Sequence, residues 1–176
     1  MIYTLLLLGN PGEKYARTRH NIARILFGMI EDDVKAILGV ETFVPSTFMN
    51  ESGKDICEYL RYHEVRELVV VYDDKDLAIG TFRISFDRGD GGHNGLKSVI
   101  EHLGKTDFIR IRIGIAPKET DGKEVIAPHG EAVQGYVMGK IREDEEEELR
   151  KIAPQVLDAV KTIVGEGYQK AMERYN

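Results

Sequence analysis

Cysteine is nearly absent: Cys57 is the only one in 176 residues. An internal disulfide and a thiolate metal cluster are thereby excluded, and a lone thiol fits a reducing interior. Long apolar runs are missing too. The opening residues Met1 to Leu8 carry no basic leader and meet a turn at once, so they read as a strand rather than a signal peptide or a membrane span. No Gly-x-Ser-x-Gly elbow occurs, which argues against a serine nucleophile. The dinucleotide fingerprint and the full spacing of a phosphate-binding P-loop are also lacking. His63, His102 and His129 have no ligand spacing with one another or with Cys57 and read as surface groups. Nothing in the chain calls for a metal or another cofactor, and no internal repeat, low-complexity tract or linker interrupts it.

Positive charge is scarce overall. The formal net charge is −6, which weighs against a polyanion partner, but its distribution matters more than its sum. Residues 143–148 are six consecutive acids without calcium-loop spacing, and read as a solvated helix face. From Arg83 to Lys118, seven basic residues face four acidic ones. A local basic face on an acidic protein follows, with salt-sensitive affinity for a polyanion.

Length and composition predict one soluble domain over 1–176 with a substantial core. Residues 2–8 read as a strand buried on both faces. Helical spacing of Ile22, Ile25, Leu26, Met29, Ile30, Val34 and Ile37 predicts one helix over 20–38, stopped by Gly39. Val40 to Val44 reads as a short strand, and Ser52 as the cap of a helix over 53–62. Leu68 to Tyr72 is a second buried strand, ending in Asp73. Phe82, Ile84 and Phe86 alternate with polar residues, as do Ile109, Ile111, Ile113 and Ile115 with Arg110 and Arg112, so each strand should have one wet face. Leu96, Val99, Ile100 and Leu103 mark an amphipathic helix between them. Residues 117–134 read as a long, lid-like loop. Helices follow over about 142–175, with a kink or restart at Pro154 and a break at Gly165 and Gly167. This order predicts an α/β fold: a mixed, mostly parallel twisted sheet with helices on both faces.

The chemistry sits in the turns. Leu7-Leu8-Gly9-Asn10-Pro11-Gly12 ends a buried strand abruptly, and Thr18-Arg19-His20-Asn21 follows. Ligands of open α/β sheets gather at such strand ends. His20 titrates near neutrality, which suits a general base for water; a helix-capping or surface role is the competing reading. Asp73 should lie near the same sheet edge, where a carboxylate would fix the imidazole tautomer. Asn10, Asn50 and Asn94 put three amides in three turns. Each alone reads as a turn residue, but together they could donate to an oxyanion without changing charge. Gly91 and Gly92 would admit a substrate backbone closely. A phosphate-binding helix N-terminus is the rival reading of Gly91-Gly92-His93-Asn94-Gly95.

These segments as a set, Gly9 to Gly12, Tyr15-x-x-Thr18-Arg19-His20-Asn21, Phe48-Met49-Asn50-x-Ser52-Gly53, Asp73-x-x-Asp76-Leu77, Gly91 to Lys97 and Gly135 to Lys140, resemble the bacterial-type peptidyl-tRNA hydrolase family. The resemblance implies an enzyme that cleaves the ester between peptide and tRNA. It implies His20 as base, Asp73 orienting it, Asn10 and Asn50 positioning substrate and water, and Asn94 binding substrate and stabilising the oxyanion. Tyr15, Met49, Gly91 and Gly92 would line the site, and Arg112, with Lys105, Arg83 and Arg88, would meet the tRNA. A metal-independent, cytoplasmic monomer with no membrane contact is implied. Departures stand beside the likeness: a shortened stretch between His20 and Met49, Ser85 where a basic residue is expected, and an enlarged loop from Lys118 to Ala132. A non-catalytic RNA-binding relative, like organellar splicing cofactors, is the alternative, and a small nucleotide binder a distant third. An intact set of base, orienter and amides favours the hydrolase.

Overall fold

Five strands form one sheet in the order β2-β1-β3-β5-β4. They are β1 (Tyr3–Leu7), β2 (Val40–Phe43), β3 (Glu67–Ala78), β4 (Phe82–Phe86) and β5 (Ile109–Ala116). The computed structural model describes residues 2–63, 67–117 and 129–176. β1 runs parallel to β2 and β3, and β3 parallel to β5; only β4 is antiparallel, with Phe82 opposite Ile113. Helices α1 (Ile22–Met29), α2 (Glu31–Lys35), α3 (Ser52–Tyr62), α4 (Asn94–Leu103), α5 (Ala132–Met138), α6 (Glu143–Glu166) and α7 (Tyr168–Tyr175) complete the described elements.

The apolar strand runs are explained by cover on both sides. On one face Leu5, Leu7, Val69, Val71, Ile111 and Ile113 pack with Ile22 and Leu26 of α1 and Val156, Val160 and Ile163 of α6. On the other, Leu6, Leu8, Val70 and Tyr72 meet Ile56 of α3 and Leu96 and Val99 of α4. Each such side chain contributes roughly 1.5–3 kcal/mol by leaving water. The mixed sheet with two helical layers is the architecture the pattern implies.

Several boundaries differ from expectation. The helix over 20–38 is divided at Ile30, whose φ of −125° leaves helical geometry. The turn lets both Ile30 and Val34 reach the core. The shortened segment thus still supplies a strand, β2, at the sheet edge. Ser52 is no cap: a 3₁₀ turn over Met49–Glu51 feeds directly into α3, and Ser52 is already helical and fully buried. Pro154 lies inside an unbroken α6. It is on the exposed side, where water can satisfy the carbonyl its ring leaves free. Arg110 is fully buried rather than wet, and Ser85 is buried as well. Residues 118–128 of the lid-like loop lie outside the described residues, and its last residues belong to α5.

One feature of the topology creates a crevice. From β1 the chain crosses to β2 on one side, and β3 then pairs on the other, so the connections diverge between β1 and β3. β1 pairs with β3 up to Leu7 opposite Val71, and Leu8 N–H reaches Val71 O at 3.0 Å. Beyond that point β1 turns away at Gly9 while β3 runs on through Asp73 to Ala78. The freed edge of β3 opens a cleft at the carboxyl ends of the strands, where ligands of open α/β sheets bind.

Candidate active site

Asn10 leaves β1 into a turn that is tied on every side. Its backbone N–H donates to Asn21 Oδ1 at 2.8 Å, and Asn21 Nδ2 returns a bond to Asn10 O at 2.9 Å. Arg24 donates to Asn10 O at 3.2 Å, Gly9 O at 2.5 Å and Pro45 O at 3.0 Å. A Cβ on Gly9 would stand 2.5 Å from Arg24 Nε, so glycine is what lets the guanidinium reach these carbonyls. The amide itself is oriented by chemistry: Asn10 Oδ1 accepts the Met49 N–H at 2.8 Å. Only oxygen can accept there, so Nδ2 is the group left to face the cleft.

The next turn delivers the imidazole. Thr18 N–H and Oγ1 both donate to Tyr15 O, and the chain enters a 3₁₀ turn over Arg19–Asn21. His20 is buried there, with Nδ1 2.8 Å from Asp73 Oδ1 and 3.0 Å from Oδ2. Asp73 is 4% exposed and sits within β3, opposite Ile113 of β5, rather than after a strand ending at Tyr72. Burial pushes the His20 pKa down, but the charge of Asp73 and its hydrogen bond outweigh that and raise it above the ordinary value. Burial alone would lift Asp73; the facing His20, then His93, and their hydrogen bonds instead hold it well below the usual carboxylate range. Asp73 therefore stays ionised and accepts from His20 Nδ1–H, which leaves Nε2 as the free lone pair.

His93 joins them. Its Nε2 is 2.9 Å from Asp73 Oδ1, and its ring lies 4.9 Å from that of His20. At the N-cap of α4, His93 Nδ1 accepts the Leu96 N–H at 3.2 Å. That bond fixes the tautomer: Nε2 carries the proton and donates it to Asp73. His20, Asp73 and His93 offer three ligand atoms within 4.8 Å of one another, a set that could hold a metal ion. A metal on His93 Nε2 would move the proton to Nδ1, against the Leu96 N–H. The trio fits two N–H donors on one carboxylate better than a metal centre. His93 was part of a motif the sequence singles out, but no spacing rule assigns it to a carboxylate 20 residues away.

A cleft of about 1290 Å³ gathers these groups. Asn10, His20, Met49, Asn50, Asp73, Gly91, Gly92, His93, Asn94, Arg88 and Arg112 line it. Asn50, in the 3₁₀ turn that precedes α3, and Asn94, the first residue of α4, are exposed. α3 and α4 can bring them close because Gly53 carries no Cβ: one would stand 2.0 Å from Ser98 O. Tyr15 stands outside the lining, edge-on to Phe48 at 5.9 Å between ring centres. Gly91 and Gly92 adopt φ of +58° and +80°, backbone that favours glycine. Arg110 was not foreseen here. It donates from beneath to Gly89 O at 2.7 Å and to Arg88 O, fastening the glycine turn to β5. Arg112 gives its Nε to Asp74 Oδ2 at 2.6 Å. Lys105 and Arg83 are exposed and do not line the cleft: Lys105 pairs with Asp107 at 3.5 Å, and Arg83 lies on β4 opposite Arg112.

The far wall is α5, contributing Val133, Gln134, Val137 and Met138. Arg19, beside His20, locks this wall in place. It forms bonds of 2.9 to 3.1 Å to Glu145 of α6 and lies 4.5 Å over the Tyr136 ring. Arg19 N–H also donates to Gly139 O at 3.0 Å.

Known proteins resemble this chain along nearly its whole length. A family model described as peptidyl-tRNA hydrolase matches residues 4–176. A protein of Fervidobacterium nodosum named peptidyl-tRNA hydrolase is 38% identical over 181 residues, covering 96% of this chain and 93% of its own. One of Synechococcus elongatus with the same name is 33% identical over 195 residues, covering 98% and 92%. The crystal structure of peptidyl-tRNA hydrolase from Acinetobacter baumannii superposes with a TM-score of 0.84 at 28% identity, covering 99% of this chain and 94% of that one.

Proposed function

This chain belongs to the peptidyl-tRNA hydrolase family and is an ester hydrolase acting on peptidyl-tRNA, and from that premise we propose that His20 is the general base of the reaction. Asp73 Oδ1, 2.8 Å from His20 Nδ1, is the observation that carries the assignment. With Nδ1–H held by a buried carboxylate, Nε2 takes a proton from water as the water oxygen attacks the ester carbonyl. The imidazolium that forms is stabilised by Asp73. Collapse of the tetrahedral intermediate breaks the bond to the ribose oxygen, which takes the proton back from His20.

Asn10 Nδ2 and the Asn94 amide supply donors to the carbonyl oxygen as it becomes an oxyanion. One such donor is worth ~10²–10³-fold. Asn50 positions substrate, the Gly91-Gly92 backbone admits it, and Met49 forms the floor. His93 holds Asp73 from its second side. Arg112 and Arg88 meet tRNA phosphates at the cleft mouth, with Arg83 and Lys105 further out. One chain supplies the groups named here, and the enzyme works as a monomer. Its compartment is the cytoplasm, where Cys57 stays a free thiol. No described helix is long and apolar enough to cross a membrane.

The test is turnover of N-blocked aminoacyl-tRNA by the parent and by His20→Ala. A loss of ~10²–10⁴-fold is expected, the range of general-base assistance. Equal turnover would remove His20 from the mechanism, and tRNA binding without cleavage by the parent would restore the binding-only alternative. For the tRNA face, Arg112→Ala should weaken binding and flatten its dependence on salt concentration by about one unit of slope; an unchanged slope rejects that phosphate contact.

A further inference from the structure

Among the described residues, the only partner of Asn10 Nδ2 is a sulfur atom. Met138, the last residue of α5, brings Sδ to 4.0 Å from it. A thioether is a weak acceptor, easily displaced by a substrate carbonyl. Its oxidised form is not: a sulfoxide oxygen is a strong, polar acceptor on the same side chain. One bond length out from Sδ, an oxygen directed at Asn10 comes within hydrogen-bonding range of Nδ2. Met138 is also the more open of the two methionines that line the cleft. Met49 is 4% exposed, and its Sδ packs so tightly on Gly95 that a Cβ there would stand 2.4 Å away. Met29 and Met172 are half-buried and packed against the main core, as Met138 is, but neither lines the cleft. Met138 is half-buried and lines the open cleft.

We propose that Met138 is a reversible oxidation site that switches the enzyme off by occupying the Asn10 donor. The oxidant is a peroxide. The sulfur attacks one peroxide oxygen, an S–O bond forms as the O–O bond breaks, and water leaves. Sulfur loses two electrons and the peroxide gains them. The new oxygen accepts from Asn10 Nδ2, the donor otherwise aimed at the developing oxyanion. Reduction by a methionine sulfoxide reductase reverses the step. The effect on turnover rests on the role given to Asn10 above; the contact between sulfoxide and Asn10 does not.

The experiment uses the full chain carrying Cys57→Ser, so that thiol oxidation does not contribute, with and without Met138→Leu. Leucine keeps the volume and removes the sulfur. Each protein is treated with hydrogen peroxide, and three quantities are followed: Met138 sulfoxide by peptide mass, turnover of N-blocked aminoacyl-tRNA relative to the same protein untreated, and the Asn10 side-chain amide resonances. In the Met138 protein, turnover should fall in step with sulfoxide, to ~10²-fold below the start at full conversion, the cost of one oxyanion donor. Sulfoxide reductases with dithiothreitol should restore it, the Asn10 amide should shift on oxidation, and Met138→Leu should keep its untreated rate. Equal inactivation of Met138→Leu overturns the proposal. So does full Met138 oxidation with an unmoved Asn10 amide, which leaves the hydrolytic mechanism untouched. A shifted amide with unchanged turnover overturns the switch by removing Asn10 from the donor role.

Discussion

Asp73→Asn is the most informative single change. The substitution is nearly isosteric, yet the carboxylate accepts from two imidazoles, His20 Nδ1 at 2.8 and 3.0 Å and His93 Nε2 at 2.9 Å. An amide has one oxygen to offer. If that oxygen takes the Oδ1 position, the NH₂ group confronts His20 Nδ1–H, donor against donor. If the amide flips, it confronts both imidazoles. The conflict is relieved when His20 moves its proton from Nδ1 to Nε2, and that tautomer has no lone pair toward the cleft. The charge that stabilises the imidazolium is lost as well. The expected fall in kcat/KM is therefore ~10²–10⁴-fold, or about 3–5 kcal/mol of transition-state stabilisation. The pH profile gives a second readout. In the parent, His20 must be unprotonated, and its pKa lies above the ordinary 6.5, so activity should be lost as pH falls through that raised value. Without Asp73 the remaining influence is burial, which lowers the pKa, so the residual activity of the variant should extend to lower pH. Rates of N-blocked aminoacyl-tRNA hydrolysis across pH check both. A loss under tenfold, or an acid limb that stays put, would refute the idea that Asp73 sets the tautomer and charge of His20.

Other expectations concern what holds the site together. Arg19→Met should leave Glu145, 2% exposed, as a buried carboxylate without its guanidinium. Arg142 still partners the carboxylate, through its N–H at 2.8 Å and its guanidinium at 3.6 Å. The cost therefore stays below the roughly 3–5 kcal/mol of a fully unpaired buried charge. At roughly 2–4 °C per kcal/mol for a chain of this size, Tm should drop by up to about 10 °C; a melt within 2 °C of the parent (roughly the smallest shift one kcal/mol gives) would show the Arg19 pair to be dispensable. Gly53→Ala should drive α3 and α4 apart, since its Cβ would fall 2.0 Å from Ser98 O. Overpacking of this kind costs about 1–3 kcal/mol. KM should rise as Asn50 and Asn94 separate, and denaturant melts with steady-state kinetics would read both.

The elements that were legible in the sequence are those whose cause is local. Buried β1 and β3 show as apolar runs, α4 as a helical stripe, and the site turns as Asn, Pro and Gly clusters at strand ends. Misreadings came where a distant partner overrules the local rule. Arg110 alternates as a wet-face residue should, but it is buried because the glycine turn folds over it and needs its guanidinium. Ser52 has the chemistry of a cap, yet the 3₁₀ turn before it makes it helical already.

Residue types and their placement in turns, then, were determined by the chain itself: an imidazole, a carboxylate, three amides, and glycines able to take positive φ. Which of these meet was decided by the tertiary fold. β3 outruns β1 and exposes Asp73 to a histidine 53 positions earlier and another 20 positions later. Arg19 finds Glu145 across 126 residues, and Asn10 finds the Met138 sulfur across 128. Local spacing carries information over a few residues because it reflects the period of one helix or strand. Contacts between turns of different elements depend on how the sheet and its two helical layers pack, and no local period encodes that.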